Sequence, residues 1–251
     1  MSELPAPPRP RGRPAKDREK RTLSRDAIVA TAMAIVDEHG VDGLSMRAVA
    51  QVLDTGPASL YAHVADKEEL LELLLDEAIA EMRVPPADLS WQEQLKFVVR
   101  EQRRVLTQHR DLARVTLARV PTGPRAVALI EETIGGLHAA GLPPKTISYA
   151  MDLLSLFAGA SAYEESLLVT RVGYEEAERY YREVGEHFAA LPADRFPNIA
   201  AMGADMFGAG EPDGEERFEW ALDVLVDGIA AQLERASRRP SRARGTARSP
   251  R

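Results

Sequence analysis

Small and apolar residues recur at helical spacing along nearly the whole chain, as in Ile28, Ala32, Ile35 and Val36 and again in Ile147, Met151, Leu154, Ala158 and Ser161. No segment alternates with the period of two that marks a strand. Ser24, Ser45, Asp66 and Ser90 each precede an apolar run, and Asp66/Glu69 and Ser90/Glu93 have capping-box spacing. Gly40, the Asp54-Thr55-Gly56-Pro57 cluster, Pro85-Pro86, Pro121 to Pro124, Gly141 to Pro144 and the stretch from Leu191 to Gly214 interrupt the pattern. The spacing predicts helices over 24–39, 45–52, 57–63, 67–82, 90–108, 110–119, 124–140, 144–170, 173–190 and 215–236.

An all-α fold follows. Three short, closely spaced helices make a compact unit over 24–70, and a helical bundle over 71–236 shares its first helix with that unit. Residues 1–23 form a basic arm and 237–251 an Arg-rich tail, both expected to be disordered.

The charges sharpen this division. The net charge is −7, but residues 1–25 carry a balance of +5 and residues 235–251 a balance of +7, which leaves −19 for the body. Basic ends on an acidic body suit tails that touch a polyanion, although a solvated C-terminal tail fits the same composition. With no cysteine, disulfides, thiolate metal sites and cysteine nucleophiles are excluded. The weakly polar run Leu153 to Tyr163 is too short to span a bilayer, and the N-terminus lacks an apolar core, so a cytoplasmic protein without a membrane partner is expected.

The informative segment runs from Leu44 to Lys67: two short helices joined by a tight turn, which is helix-turn-helix geometry. Met46, Val49, Ala50 and Leu53 give the first helix an apolar face, and Leu60 and Val64 turn the second toward the core. Gly56 supplies a permissive turn residue and Pro57 suits a first helical position. Thr55, Pro57, Ala58, Ser59, Tyr61 and His63 are left on the opposite face, small at the helix start and able to approach base edges closely. The N-termini of that helix and of the next, at Lys67, favour phosphate. Arg47 is the long forked donor here and the best candidate to read a guanine.

Two short helices around a glycine turn also suit a plain helical core, but the residues go further. The run from Gly40 through Ala50, with Ser59-Leu-Tyr-Ala-His-Val-Ala-Asp-Lys-Glu-Glu-Leu-Leu, resembles the tetracycline-repressor DNA-binding domain nearly position for position. Ser90-Trp-Gln with Leu95, His109-Arg-Asp with Val115, Pro121-Thr122, and Gly141 followed by Tyr149-Ala150, Phe157 and Glu164 resemble the regulatory domain of the same family. The resemblance implies a homodimeric regulator, in the family's habit a repressor, that grips a palindromic operator and lets go when a small-molecule effector binds. Its dimer interface would be a four-helix arrangement of the helices near 144–170 and 215–236, where Ala158 to Ala162 and Gly228 permit close approach.

The implied effector cavity is lined by Val98, Gln102, Thr116, Arg119, Leu129, Glu132, Met151 and Phe157, mostly apolar with a few polar anchors. Each of these also suits plain core. Thr116 stands where the family's tetracycline binders have a metal-binding histidine, Val98 where they have a drug-contacting asparagine, and Leu156 where another histidine is expected. These departures argue against a magnesium–tetracycline chelate; no metal or cofactor is expected. The implied mechanism is that effector entry shifts the segments near 110–119 and 122–140, swings the helix from Lys67, and spoils the match of two recognition helices to major grooves about 34 Å apart.

Pro10-Arg11-Gly12-Arg13-Pro14 matches the core of an AT-hook, in which Arg11 and Arg13 would enter a narrow A·T minor groove. A general phosphate-binding arm, helped by Arg18, Lys20 and Arg21, fits equally well. Two other classes find less support. For an enzyme, the histidines at 39, 63, 109, 138 and 187 show no metal spacing, there is no phosphate loop or nucleophile elbow, and Glu164-Glu165 suits a solvated or salt-bridged helix face. An architectural DNA-binding protein without a ligand would explain the arm but not the large second domain, and an activating DNA-binding protein would have the same sequence features as a repressor.

Overall fold

The computed structural model describes residues 23–109, 111–117, 119–207 and 214–238. The candidate arm residues Arg11 and Arg13, and the Arg-rich tail beyond residue 238, lie outside them. The described residues are helical, without a strand: α1 (Arg25–Gly43), α2 (Met46–Val52), α3 (Pro57–Leu60), α4 (Lys67–Ala80), α5 (Trp91–Gln108), α6 (Leu112–Thr116), α7 (Pro124–Ala139), α8 (Pro144–Ala189), α9 (Pro197–Phe207) and α10 (Glu215–Arg238).

The four expected caps are made. Ser24 accepts from the Ala27 amide at 3.2 Å, Ser45 from Ala48 at 3.1 Å, Asp66 from Glu69 at 2.9 Å and Ser90 from Glu93 at 3.3 Å. Each contributes about 1 kcal/mol by satisfying an amide the helix cannot. The Asp66 box closes loosely, because the Glu69 carboxylate accepts from the Ala65 amide, one residue before the cap. Gly40 breaks α1 as its residue type predicts, with φ 72°, and only a short helical turn follows it.

Three expectations need correction. The break placed between residues 170 and 173 is absent: α8 continues through Gly173 for 46 residues. A lone helical glycine costs only about 1 kcal/mol against alanine, and the helix formers on both sides carry the pattern across. The stretch from Leu191 to Gly214 is not a simple connection, because Pro197 opens α9 there. Finally, α3 ends at Leu60 and not at residue 63.

Two cores hold the helices. One joins Ile28, Val36, Val49, Leu60, Val64 and Leu74 of the N-terminal unit to Leu106, Leu112 and Val115 of α5 and α6. The other joins Leu95, Val99, Leu137, Leu154, Leu222 and Val226 of α5, α7, α8 and α10. The first crosses the expected boundary near residue 70, so the small unit rests on the larger one through shared apolar packing. A polar joint lies beside it: His109, at the end of α5, meets Asp37 of α1 through Nδ1 at 2.9 Å and Glu81 beyond α4 through Nε2 at 3.1 Å.

Candidate DNA interface and effector site

The α2–α3 pair is built from inside outward. Met46, Val49, Ala50, Leu60 and Val64 are buried, and burying each of the larger side chains contributes about 1.5–3 kcal/mol. This burial leaves α3 only one orientation, with Gly56, Pro57, Ala58, Ser59 and Tyr61 exposed; Tyr61 is 54 % accessible. Arg47 is exposed on the first turn of α2. Thr55 and His63 are half-buried at the two ends of this surface. Lys67 is also half-buried, and its Nζ donates to the Val41 carbonyl at 3.2 Å.

The turn is made differently from the sequence expectation. Gly56 sits at φ −83°, where any residue fits, and a Cβ there would meet nothing within 4 Å. The left-handed residue is Asp54, at φ 52°, and aspartate tolerates that region better than most. Gly56 instead leaves open space at the N-terminus of α3.

The candidate effector residues fall into two groups. Gln102 donates to Ser155 Oγ at 3.2 Å, and Thr116 Oγ1 stands 3.0 Å from where a Gly159 Cβ would be. Ser155 and Gly159 are one turn apart on α8, and Met151 is one turn before them, so Gln102, Thr116 and Met151 share one side of that helix. Val98 precedes Gln102 by one turn of α5 and is half-buried, as is Leu129 of α7. Three others point elsewhere: Phe157 stacks on Phe218 of α10 at 5.0 Å, Arg119 pairs with Glu68 of α4, and Glu132 is exposed.

On the opposite face of α5 a cleft of about 380 Å³ opens toward α8 and α10, lined by four arginines, Glu101, Glu165, Glu215 and Phe218 among others. Each guanidinium has a carboxylate partner: Arg83 and Arg104 hold Glu101, Arg100 holds Glu219, and Arg103 holds Glu165 and Glu215. Of these, Arg100–Glu219 and Arg103–Glu215, with Lys96 to Asp223 at 2.7 Å, fasten α5 to α10 as an antiparallel seam. The Asp223 hydrogen bond raises the Lys96 pKa, and that same bond lowers the Asp223 carboxyl. The sequence reading missed this seam because its partners lie more than 100 positions apart.

Glu101 lies buried beside this seam and ties α5 to Arg83, just beyond α4. Burial pushes its carboxyl up, but hydrogen bonds from Arg83 and Arg104 outweigh this and hold it down, from 4.5 to about 2. A carboxyl depressed on folding stabilises the fold fully above its unfolded value, and the benefit drains away as pH falls toward about 2. We therefore expect Glu101→Gln to cost about 2 kcal/mol in urea unfolding at pH 7. The gap from the native protein should narrow at pH 3; a gap that is the same at both pH values would show that the ionised form contributes nothing.

The comparisons with known proteins bear on both halves of this arrangement. The profile for bacterial regulatory proteins of the tetR family matches residues 28–74, and that for the tetracyclin repressor-like C-terminal domain matches residues 85–233. The chain belongs to the TetR family. An HTH-type transcriptional regulator of Saccharopolyspora erythraea is 34% identical over 227 residues, covering 87% of this chain and 90% of that protein. The HTH-type transcriptional repressor DrrR1 of Streptomyces coeruleorubidus is 32% identical, over 84% of this chain and 78% of its own. The crystal structure of the Streptomyces coelicolor TetR family protein ActR in complex with actinorhodin superposes with a TM-score of 0.78 at 39% identity, covering 86% of this chain and 99% of that one.

As a TetR-family member, the protein is a DNA-binding transcriptional regulator, and the α2–α3 surface is where its helix-turn-helix faces solvent. Its bundle bears a second exposed surface. Tyr149, Leu153 and Leu156 form one stripe on α8 and are 44–64 % accessible, and Trp220 and Val224, at 69 % and 50 %, form another on α10. Apolar stripes of this size on adjacent helices mark an interaction face. Among the described residues, no helix of this TetR-family chain is long and apolar enough to cross a membrane.

Proposed function

We propose that the protein is a homodimeric repressor that sets α3 of each protomer in a major groove of a palindromic operator and is released by a small molecule held between α5, α6, α7 and α8. The observation that carries this is the small-residue surface from Gly56 to Tyr61, kept outward by the buried Leu60 and Val64 on the same short segment. The α8 and α10 stripes pair with their copies to place the second reading head. The effector is an apolar molecule with a few hydrogen-bonding groups: Val98, Leu129 and Met151 supply the apolar wall, and Gln102 and Thr116 the polar anchors. ActR, which holds actinorhodin, supports a small-molecule effector of that kind. Thr116 spends its hydroxyl proton on the Ala113 carbonyl at 2.7 Å, so toward a ligand it accepts. No catalytic step is assigned to these residues, and an operator partner puts the site of action in the cytoplasm.

Selection of random duplex DNA by the purified protein tests the reading. A twofold-symmetric sequence with half-sites about 34 Å apart is expected; enrichment of A·T-rich DNA without symmetry would overturn it. On that operator, Arg47→Ala should relax the preference at one symmetric base pair by roughly tenfold, since a bidentate base contact is worth about 1–3 kcal/mol. Tyr61→Phe should weaken all sequences alike. Equal loss on every sequence for Arg47→Ala would move that residue from base reader to phosphate contact.

A further inference from the structure

Asp76 is a buried carboxylate in the middle of the apolar run of α4, only 4 % accessible, and neither DNA contact nor the effector wall uses it. Its Oδ1 accepts from the backbone amides of Arg125 at 2.9 Å and Ala126 at 3.0 Å. These are orphan amides of the first turn of α7. The α7 cap residue, Gly123, has no side chain to satisfy them, and a Cβ on it would stand 2.2 Å from Asp76 Oδ1. One helix therefore supplies the N-terminal cap of another, and the glycine makes room for it.

Other α4 side chains reach the same connection. Glu68 pairs with Arg119, Glu72 accepts from Thr122 Oγ1 at 3.1 Å, and Glu77 accepts from Arg125 Nη1 at 2.9 Å. Glu68, Glu72 and Asp76 are successive turns of one face, so α4 meets residues 119–126 along three turns. The outer pairs are at least partly solvated and contribute little individually. Asp76 differs, because its carboxylate would be left buried and unpaired if α7 moved away alone, which is costly. Movement of the α7 N-terminus must carry α4 with it.

We propose that Asp76 is the positioning residue that ties the angle of the reading head to the effector site: through this shared cap, the start of α7 holds α4, and α4 follows α3 directly through residues 61–66. The inference rests on the effector-released repressor reading, because Thr116, a polar anchor in that reading, ends the helix whose chain leads into the cap. Asp76 lies nine residues beyond Lys67, about 13 Å along the helix axis, so a small shift at the cap becomes a tilt at the head.

The native chain has no cysteine, so Gln51→Cys on the exposed face of α2 gives one spin label per protomer and one distance across the dimer. Asp76→Ala should broaden that distance distribution and lower operator affinity about tenfold, with dimer mass and helical content unchanged. Asp76→Asn keeps an oxygen acceptor and should restore most of the narrow distribution. Gly123→Ala, which pushes the carboxylate off the cap from the other side, should broaden it again. These two variants decide the matter if Asp76→Ala does not fold. Unchanged width and affinity in Asp76→Ala, or in Gly123→Ala, would overturn the inference while leaving the repressor reading intact. A native protein that shows neither a dimer distance nor a symmetric operator would overturn that reading, and this inference with it.

Discussion

A chain lacking residues 1–21 is expected to bind its operator about 100-fold more weakly than the whole protein at physiological salt, with an affinity that depends less steeply on salt. The reason is charge arithmetic. Residues 26–70, which contain the whole helix-turn-helix, hold Arg47 and Lys67 against eight acids. The Lys67 ammonium is already turned to the Val41 carbonyl. Such a head reads bases but attracts phosphates poorly. Residues 1–21 carry seven Lys/Arg against three acids, and each phosphate they neutralise should contribute about 0.9 to the salt slope. Fluorescence anisotropy of a labelled operator at several salt concentrations measures both quantities. An unchanged slope would show that the arm does not touch DNA, and the affinity would then have to come from helix N-termini and the few head cations.

Replacing Trp220 and Val224 together by glutamate should convert the dimer to a monomer and lower operator affinity by more than about 100-fold. Both side chains stand out of α10, away from the inner face of Phe218, Leu222 and Val226 that packs against α5 and α8. The protomer therefore loses none of its own core. What it loses is the partner: burying a side chain of this size contributes about 1.5–3 kcal/mol, and a carboxylate in its place carries a desolvation penalty in addition. Without the second reading head, the two half-sites are no longer bound in one event. Sedimentation gives the mass, circular dichroism the helical content and operator titration the affinity. A dimer that survives the double substitution would place the interface elsewhere.

The α8 and α10 stripes illustrate how function divides between residue order and packing. Periodicity alone identified both helices, since Leu154, Ala158, Leu222 and Val226 recur at helical spacing. The outward positions, Tyr149, Leu153, Leu156, Trp220 and Val224, are as apolar as the inward ones, so one chain's pattern could not say which face a partner covers. The same holds for the proposed effector wall. Gln102, Thr116 and Met151 come from three helices and acquire a common side only where Ser155 and Gly159 of α8 meet them, whereas Phe157, equally apolar, turns to α10. One missed signal was present: Glu68, Glu72 and Asp76 recur at helical spacing along one face of α4, and an acidic stripe on a helix this apolar needs partners.

Helix starts and the helix-turn-helix were determined by residue order, because caps and turns act over a few neighbouring positions. Tertiary structure decided which acid meets which base in the α5–α10 seam, which amides Asp76 caps, and that α8 runs unbroken past Gly173. Those outcomes depend on groups distant in sequence competing for the same space and the same hydrogen-bond donors, and only the packed chain brings the competitors together.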